Sequence, residues 1–149
     1  LAIVWTLRGL VCLAQVEVAQ SPEAEHVAPF NVDAISFAIV NSQRSRLDVY
    51  VQVPYENLSF VKQPDQYLAS YELTIDVLDS AGSLISEKTW TDEIKAATFD
   101  ESVSSQAYAL TQRFFELEPG RYDLVVTMRD NETKAGRRET MRWTRSGST

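Results

Sequence analysis

Leu117-Glu118-Pro119-Gly120-Arg121-Tyr122-Asp123-Leu124-Val125-Val126-Thr127-Met128-Arg129-Asp130 reads as a Pro-Gly turn feeding an alternating, β-branched strand. Pro119 presets the φ that a turn requires, and Gly120 tolerates positive φ without a Cβ clash, so the chain reverses there. Beyond the turn, Tyr122, Leu124, Val126 and Met128 fall on one face of an extended chain. Tyr122 stands where a tyrosine corner would place its hydroxyl to tie the loop back to the backbone.

The same period of two recurs on both sides of this stretch. Leu47-Asp48-Val49-Tyr50-Val51-Gln52-Val53 alternates strictly, with Leu47, Val49, Val51 and Val53 on one face, until Pro54 ends it by withholding a ladder donor. The longest run, 67–78, turns Tyr67, Ala69, Tyr71, Leu73, Ile75 and Val77 inward, and Asp79-Ser80-Ala81-Gly82 reverses it into 83–91 as a hairpin. Further strands are expected at 34–41, 58–61, 106–117, 121–129 and 138–144. The polar segment 92–105 reads as a crossing between sheets anchored by Phe99. Seven to eight short strands at regular turn spacing predict an all-β, antiparallel two-sheet sandwich of immunoglobulin-like or fibronectin-like shape over residues 30–145.

Composition sets limits on partners and chemistry. A chain of 149 residues with 15 aromatics is one domain long and can bury roughly 70% of its unfolded surface. The net charge of −7 opposes general binding to nucleic acid or to an anionic bilayer. The charge is uneven. From residue 120 onward seven basic residues stand against four acidic ones, a local +3, while the preceding residues carry −10. Such arginines serve either as a docking edge or as a guard against pairing between sheet edges.

Residues 1–14 are apolar except for Thr6, Arg8 and Gly9, too few to span a bilayer, and read as a signal peptide cleaved after Ala14. The alternative is an N-terminal strand of the fold. Cys12, the only cysteine, invites lipidation, but Val11 precedes it where a lipid-attachment box has a small residue. Residues 15–29, with the single His26, read as a linker, and 146–149 as a tail. These features place the chain outside the cytoplasm, in the periplasm or at the cell surface, with no membrane span.

The sequence offers no catalytic, cofactor-binding or metal-binding constellation to commit to, and the expectation is a protein that is not an enzyme. One histidine in a linker does not build a Ser-His or Cys-His pair. Asp92-Glu93 and Asp100-Glu101 are adjacent carboxylates that diverge on an extended chain. Calcium would need the loops with Asp76 and Asp79, or Asp130, Asn131 and Glu132, to converge at one end; the simpler role is turn residues bonding their own backbone. Trp90 and Trp143, with Trp5 assigned to the signal, are candidates for a sugar-stacking platform or for the core. Tyr50, Tyr55 and Tyr108 are candidates for an outward partner surface. Asn57-Leu58-Ser59 and Asn131-Glu132-Thr133 match the glycosylation sequon.

The run Leu47 to Tyr55 with Leu58-Ser59-Phe60, the strand from Tyr67 to Asp79 with Gly82, and the turn Pro119-Gly120 with Tyr122, Leu124 and Arg129-Asp130 resemble the N-terminal β-rich region of the bacterial GWxTD-domain proteins. The naming motif is absent; Thr89-Trp90-Thr91-Asp92 has threonine in place of its glycine. The resemblance implies an exported bacterial β-sandwich and no site residue. The function expected is protein interaction or assembly in the cell envelope through a protein partner, with a carbohydrate-binding or adhesion module as the alternative.

Overall fold

The computed structural model describes residues 30–145. The signal peptide expected at 1–14, the linker at 15–29, the tail at 146–149, and with them Cys12, His26 and Trp5, lie outside the described residues. Eight strands follow in order: β1 (Asn31–Ala38), β2 (Ser45–Pro54), β3 (Val61–Lys62), β4 (Tyr67–Asp79), β5 (Leu84–Ala96), β6 (Tyr108–Leu117), β7 (Gly120–Asp130) and β8 (Gly136–Arg145). One short helix, α1 (Phe99–Ser102), lies between β5 and β6.

All pairings are antiparallel. One sheet has the order β1-β2-β6. In the other, β4 pairs with β5 along one edge and with β7 along the other, and β7 pairs with β8. The two residues of β3 extend the β4 edge beyond the end of β7. The fold is thus the expected all-β sandwich, a three-stranded sheet facing a five-stranded one. β5 stays in the β4 sheet rather than joining β2 and β6, which separates it from the constant-type immunoglobulin split and makes it the fibronectin-like form of the two expected.

The core follows the period of two. Leu47, Val49, Val51 and Val53 of β2 meet Leu73, Ile75 and Val77 of β4 and Leu124, Val126 and Met128 of β7, all at most 2% exposed. Each buried aliphatic side chain of this kind contributes about 1.5–3 kcal/mol of transfer free energy. Phe30, Tyr71 and Phe115 are the large aromatic side chains buried in the same core.

Local departures from the expected strands have physical reasons. β1 starts three residues early and stops at Ala38, because Ile39 accepts from the Ser42 amide and Asn41 takes a φ of 59°, closing a turn that leaves Val40 exposed. The strand expected at 58–61 shrinks to Val61–Lys62. Residues Tyr55–Asn57 form a single 3₁₀ turn instead, which drops Leu58 into the core. β5 runs on to Ala96, so the crossing between sheets is shorter than 92–105. Its anchors are the buried Ala96 and Ser102; Phe99 is exposed and only edges the Tyr67 ring at 6.0 Å. The turn entering α1 is closed reciprocally, Thr98 Oγ1 accepting from the Glu101 amide and Glu101 Oε2 from the Ala97 amide.

Tyr122 is a tyrosine corner: its hydroxyl donates to the Glu118 carbonyl at 3.1 Å, and its ring stacks on Trp143 at 5.9 Å. Gly120 serves this corner for a reason other than the one read from the turn. It does not adopt positive φ, which among the described glycines only Gly82 does. A Cβ on Gly120 would stand 3.2 Å from the Tyr122 ring and hydroxyl. Gly120→Ala is therefore expected to destabilise by about 1–3 kcal/mol through overpacking, read as a lower midpoint in urea with an unchanged slope.

Candidate functional site

The two outer sheet faces differ in character, and the difference locates the candidate site. In antiparallel pairs, directly opposed residues share a face, so the register gives each face as rows. On the outside of β1-β2-β6 the rows are Phe37-Arg46-Glu116, Ile35-Asp48-Phe114, Asp33-Tyr50-Gln112 and Asn31-Gln52-Leu110, with Tyr108 beyond them opposite Pro54. Ile35, Phe37, Tyr108, Leu110 and Phe114 are exposed, Leu110 to 61%. Large apolar side chains are thus turned to solvent along both edge strands, roughly 10 Å apart at two interstrand spacings. β1 achieves this by an inverted pattern: its smaller Val32 and Ala34 pack on the core while Ile35 and Phe37 point away.

Between these two apolar rows runs a polar file with a fixed centre. Asp48 is buried on this outer face, 5% exposed, and accepts from Arg46 Nε at 2.6 Å. The Arg46 guanidinium also lies 4.3 Å over the Phe114 ring. The pair keeps the charge of Asp48 compensated beneath the apolar rows. At the other end Asn31, Asp33, Ile35, Tyr50, Gln52 and Leu110 line a shallow hollow.

The outside of the β5-β4-β7-β8 sheet is mainly polar, with Leu68, Leu78, Leu84 and Val125 as its apolar side chains. Its rows include Thr89-Thr74-Thr127-Arg138 and Glu87-Asp76-Val125-Thr140, with the two hydroxyls of Thr74 and Thr89 bonded at 2.9 Å. Acidic side chains lie on the β4 and β5 side and arginines on the β7 and β8 side. Arg142 Nε donates to Asp123 Oδ1 at 3.0 Å, which raises the guanidinium pKa.

The tryptophans do not form a platform. Both face the sandwich interior from edge strands at opposite sides, Trp90 on β5 opposite Leu73 and Trp143 on β8 opposite Tyr122, and both pack half-buried against the core. Trp90 donates from Nε1 to Asp92 Oδ2 at 3.0 Å and is covered by the Arg113 guanidinium at 4.0 Å. Lys88 reaches from β5 to the Phe114 carbonyl at 2.6 Å. This seam between β5 and β6 also holds the buried Tyr71 hydroxyl. Asp92 faces it without closing a bond of ordinary geometry, and burial first, then the Asp92 charge, drives the Tyr71 pKa far up. Of the carboxylate pairs, Asp92 turns inward and Glu93 outward on β5, whereas Asp100 and Glu101 lie in α1 rather than on an extended chain.

Of the tyrosines expected outside, Tyr108 is exposed and Tyr50 is half-buried in the hollow. Tyr55 instead sits in the 3₁₀ turn, 5.3 Å from Phe60 and packed on the core. The two acidic loops considered for calcium are at opposite ends, because β4 and β7 pair Asp79 with Tyr122 and Tyr71 with Asp130. Asp79 accepts from the Ala81 and Ser83 amides of its own hairpin. Asp130 accepts from Glu132 and Thr133 and, 71 residues away in sequence, from Ser59. In the sequon at Asn131 the side-chain amide donates to Ser70 Oγ at 2.8 Å. Among the described residues no three of His, Cys, Asp or Glu come together to hold a metal ion. No helix among them is long and apolar enough to cross a membrane.

No family model matches the chain, and no curated protein matches it. Its fold is similar to parts of large solved glycosidases. A β-glucuronidase of Bacteroides uniformis superposes over 78% of this chain at a TM-score of 0.53 and 16% identity. A putative β-galactosidase from Bacteroides fragilis does so over 78% at 0.51 and 12% identity. The matched region is 13% and 16% of those chains. The likeness is one of fold, a β-sandwich, and this chain spans only a small part of the length of those glycosidases.

Proposed function

We propose that the chain is a non-enzymatic, exported β-sandwich module that docks onto another polypeptide in the bacterial envelope through the outer face of β1-β2-β6. The observation that carries this reading is the pair of exposed apolar rows, Ile35 and Phe37 on one edge strand and Tyr108, Leu110 and Phe114 on the other. A face so composed is a cost in water and a gain against a partner. The fixed Arg46-Asp48 pair between the rows supplies polar specificity. The export setting rests on the apolar segment 1–14 and on the GWxTD resemblance.

Introducing charge at both rows tests it. Ile35→Glu with Leu110→Glu is expected to keep the domain folded and to lower the thermal midpoint by about 5 °C, since both side chains are exposed but Ile35 stands opposite the buried Asp48. The same variant is expected to lower retention of envelope proteins on the immobilised chain at least tenfold, with Thr91→Glu on the opposite sheet as the unaffected control. Retention unchanged by the double variant refutes the reading.

The hollow favours a second reading, a glycan ligand. Tyr50 offers a ring, and Asn31, Asp33 and Gln52 offer the hydrogen-bonding groups that saccharide hydroxyls require. Thermal midpoints raised by a soluble envelope glycan, and not raised in Tyr50→Ala, would select this reading over the first.

A further inference from the structure

The other sheet carries a second surface, independent of the apolar face. Among the described residues β8 pairs with β7 alone, so its far edge presents unpaired backbone groups. Arg138, Thr140, Arg142 and Thr144 line the outer side of that edge, and Arg121 and Arg129 flank them diagonally from β7. Asp123 is the only carboxylate on the outer side of these two strands, and the Arg142 side chain that it meets remains 78% exposed. In a chain of net charge −7, this is where positive charge is left over.

We propose that the edge of β8 accepts an extended acidic peptide segment of another chain as an added strand, with carboxylates four residues apart facing Arg138 and Arg142. An added strand has the same rise as β8. The roughly 13 Å between Arg138 and Arg142 therefore matches two acidic residues at i and i+4 of the incoming segment. Arginine presents a planar fork that takes a carboxylate bidentately. The same charges reject a second β8, so the edge is open to an acidic strand and closed to its own copy. On the inner side of β8 lie Met141 and Trp143. The incoming segment should therefore carry an apolar residue beside the acidic one facing Arg142, giving the pattern acidic, apolar, polar, polar, acidic.

The probe is the capped, dye-labelled peptide Ser-Val-Glu-Val-Thr-Thr-Glu-Val-Ser, titrated with the full chain and followed by fluorescence anisotropy. Saturable binding is expected, at least tenfold weaker for the peptide with both Glu changed to Gln, and at least tenfold weaker for Arg138→Gln with Arg142→Gln. Arg138→Lys with Arg142→Lys should recover part of the loss, and circular dichroism checks that each variant is folded. Proline at the central Thr of the peptide should abolish binding, since it removes a ladder donor. Absence of binding overturns the proposal. Equal binding of the Gln or the proline peptide, tighter competition by a sulfated oligosaccharide, or pairing of the edge with a second copy in sedimentation also does so. The variant Ile35→Glu with Leu110→Glu should bind the peptide unchanged, so failure here and failure of the apolar face are told apart.

Discussion

Asp130→Ala is expected to cost about 3 kcal/mol or more, a large part of the 5–15 kcal/mol that holds a domain of this size together. The carboxylate is 5% exposed and accepts three backbone amides, Ser59 on Oδ2 and Glu132 and Thr133 on Oδ1, each at 2.9 Å. Two of these close the β7-β8 turn, in which Lys134 takes a φ of 62°. The third pins the segment after the 3₁₀ turn, and with it the position of Leu58, to the far end of the sandwich. Alanine leaves three donors without acceptors. The chemical denaturation midpoint measures the loss. Protection of the Ser59 amide from hydrogen exchange should fall further than that of the β4 amides, because Ser59 lies outside any ladder.

The same residue makes stability pH-dependent in a stated direction. Burial pushes the Asp130 carboxyl up, and the hydrogen bonds from Thr133, Ser59 and Glu132 outweigh it, so its pKa falls below the ordinary 3.8. A depressed folded value means that the unfolded chain takes up the proton first. The stabilisation is therefore fully present above about pH 4 and is lost as pH falls through the lower folded value. Asp130→Asn cannot titrate. The stability gap between wild type and this variant should thus be wide at pH 7 and narrow toward pH 2.5; a constant gap would show that the charge of Asp130 is not what stabilises the turn.

Much of this architecture is legible in the sequence where a local rule sets it. Strict alternation in 47–53 and 67–78 placed every core residue of β2, and those of β4 from Ala69 to Val77, because a half-buried strand has one solution to its period. What was missed depends on partners distant in sequence. Nothing near Asp130 signals that Ser59 will meet it. Gly120 looked like a positive-φ turn residue because Pro-Gly has that meaning in isolation; the Tyr122 ring that claims the space of its Cβ is visible only once the corner is folded. The apolar face was missed because Ile35 and Phe37 sit in a run, 34–41, whose inward side is made of small residues. The signal was available in the alternation of small and large across Ala34, Ile35, Ser36 and Phe37, with the larger side chains on the unexpected side. Tyr50 and Tyr108 were legible as outward residues because each alternates with a core position, Val49 and Val51 or Ala109. Tyr55 was not, since a 3₁₀ turn has no period of two.

Truncating Tyr122 to alanine is expected to cost about 3–5 kcal/mol, and Tyr122→Phe only about 1 kcal/mol. The two variants separate the parts of the corner. Phenylalanine keeps the ring that stacks on Trp143 and fills the space beside Gly120, and loses only the bond to the Glu118 carbonyl. Alanine removes the ring as well, leaving Trp143, half-buried on the β8 edge, without its neighbour. The indole should then become more accessible, so acrylamide quenching should rise in the alanine variant and not in the phenylalanine one, with Trp5 and Trp90, the latter under Arg113, as a background common to both. The position of β8 is coupled to this contact, because Trp143 and Tyr122 are directly opposed in the register. If peptide binding at the β8 edge follows the presentation of Arg138 and Arg142, the alanine variant should weaken it several-fold at temperatures where the domain is still folded. The phenylalanine variant should bind as wild type does. Equal binding by both variants would show that the arginine edge is held by the β7-β8 ladder alone.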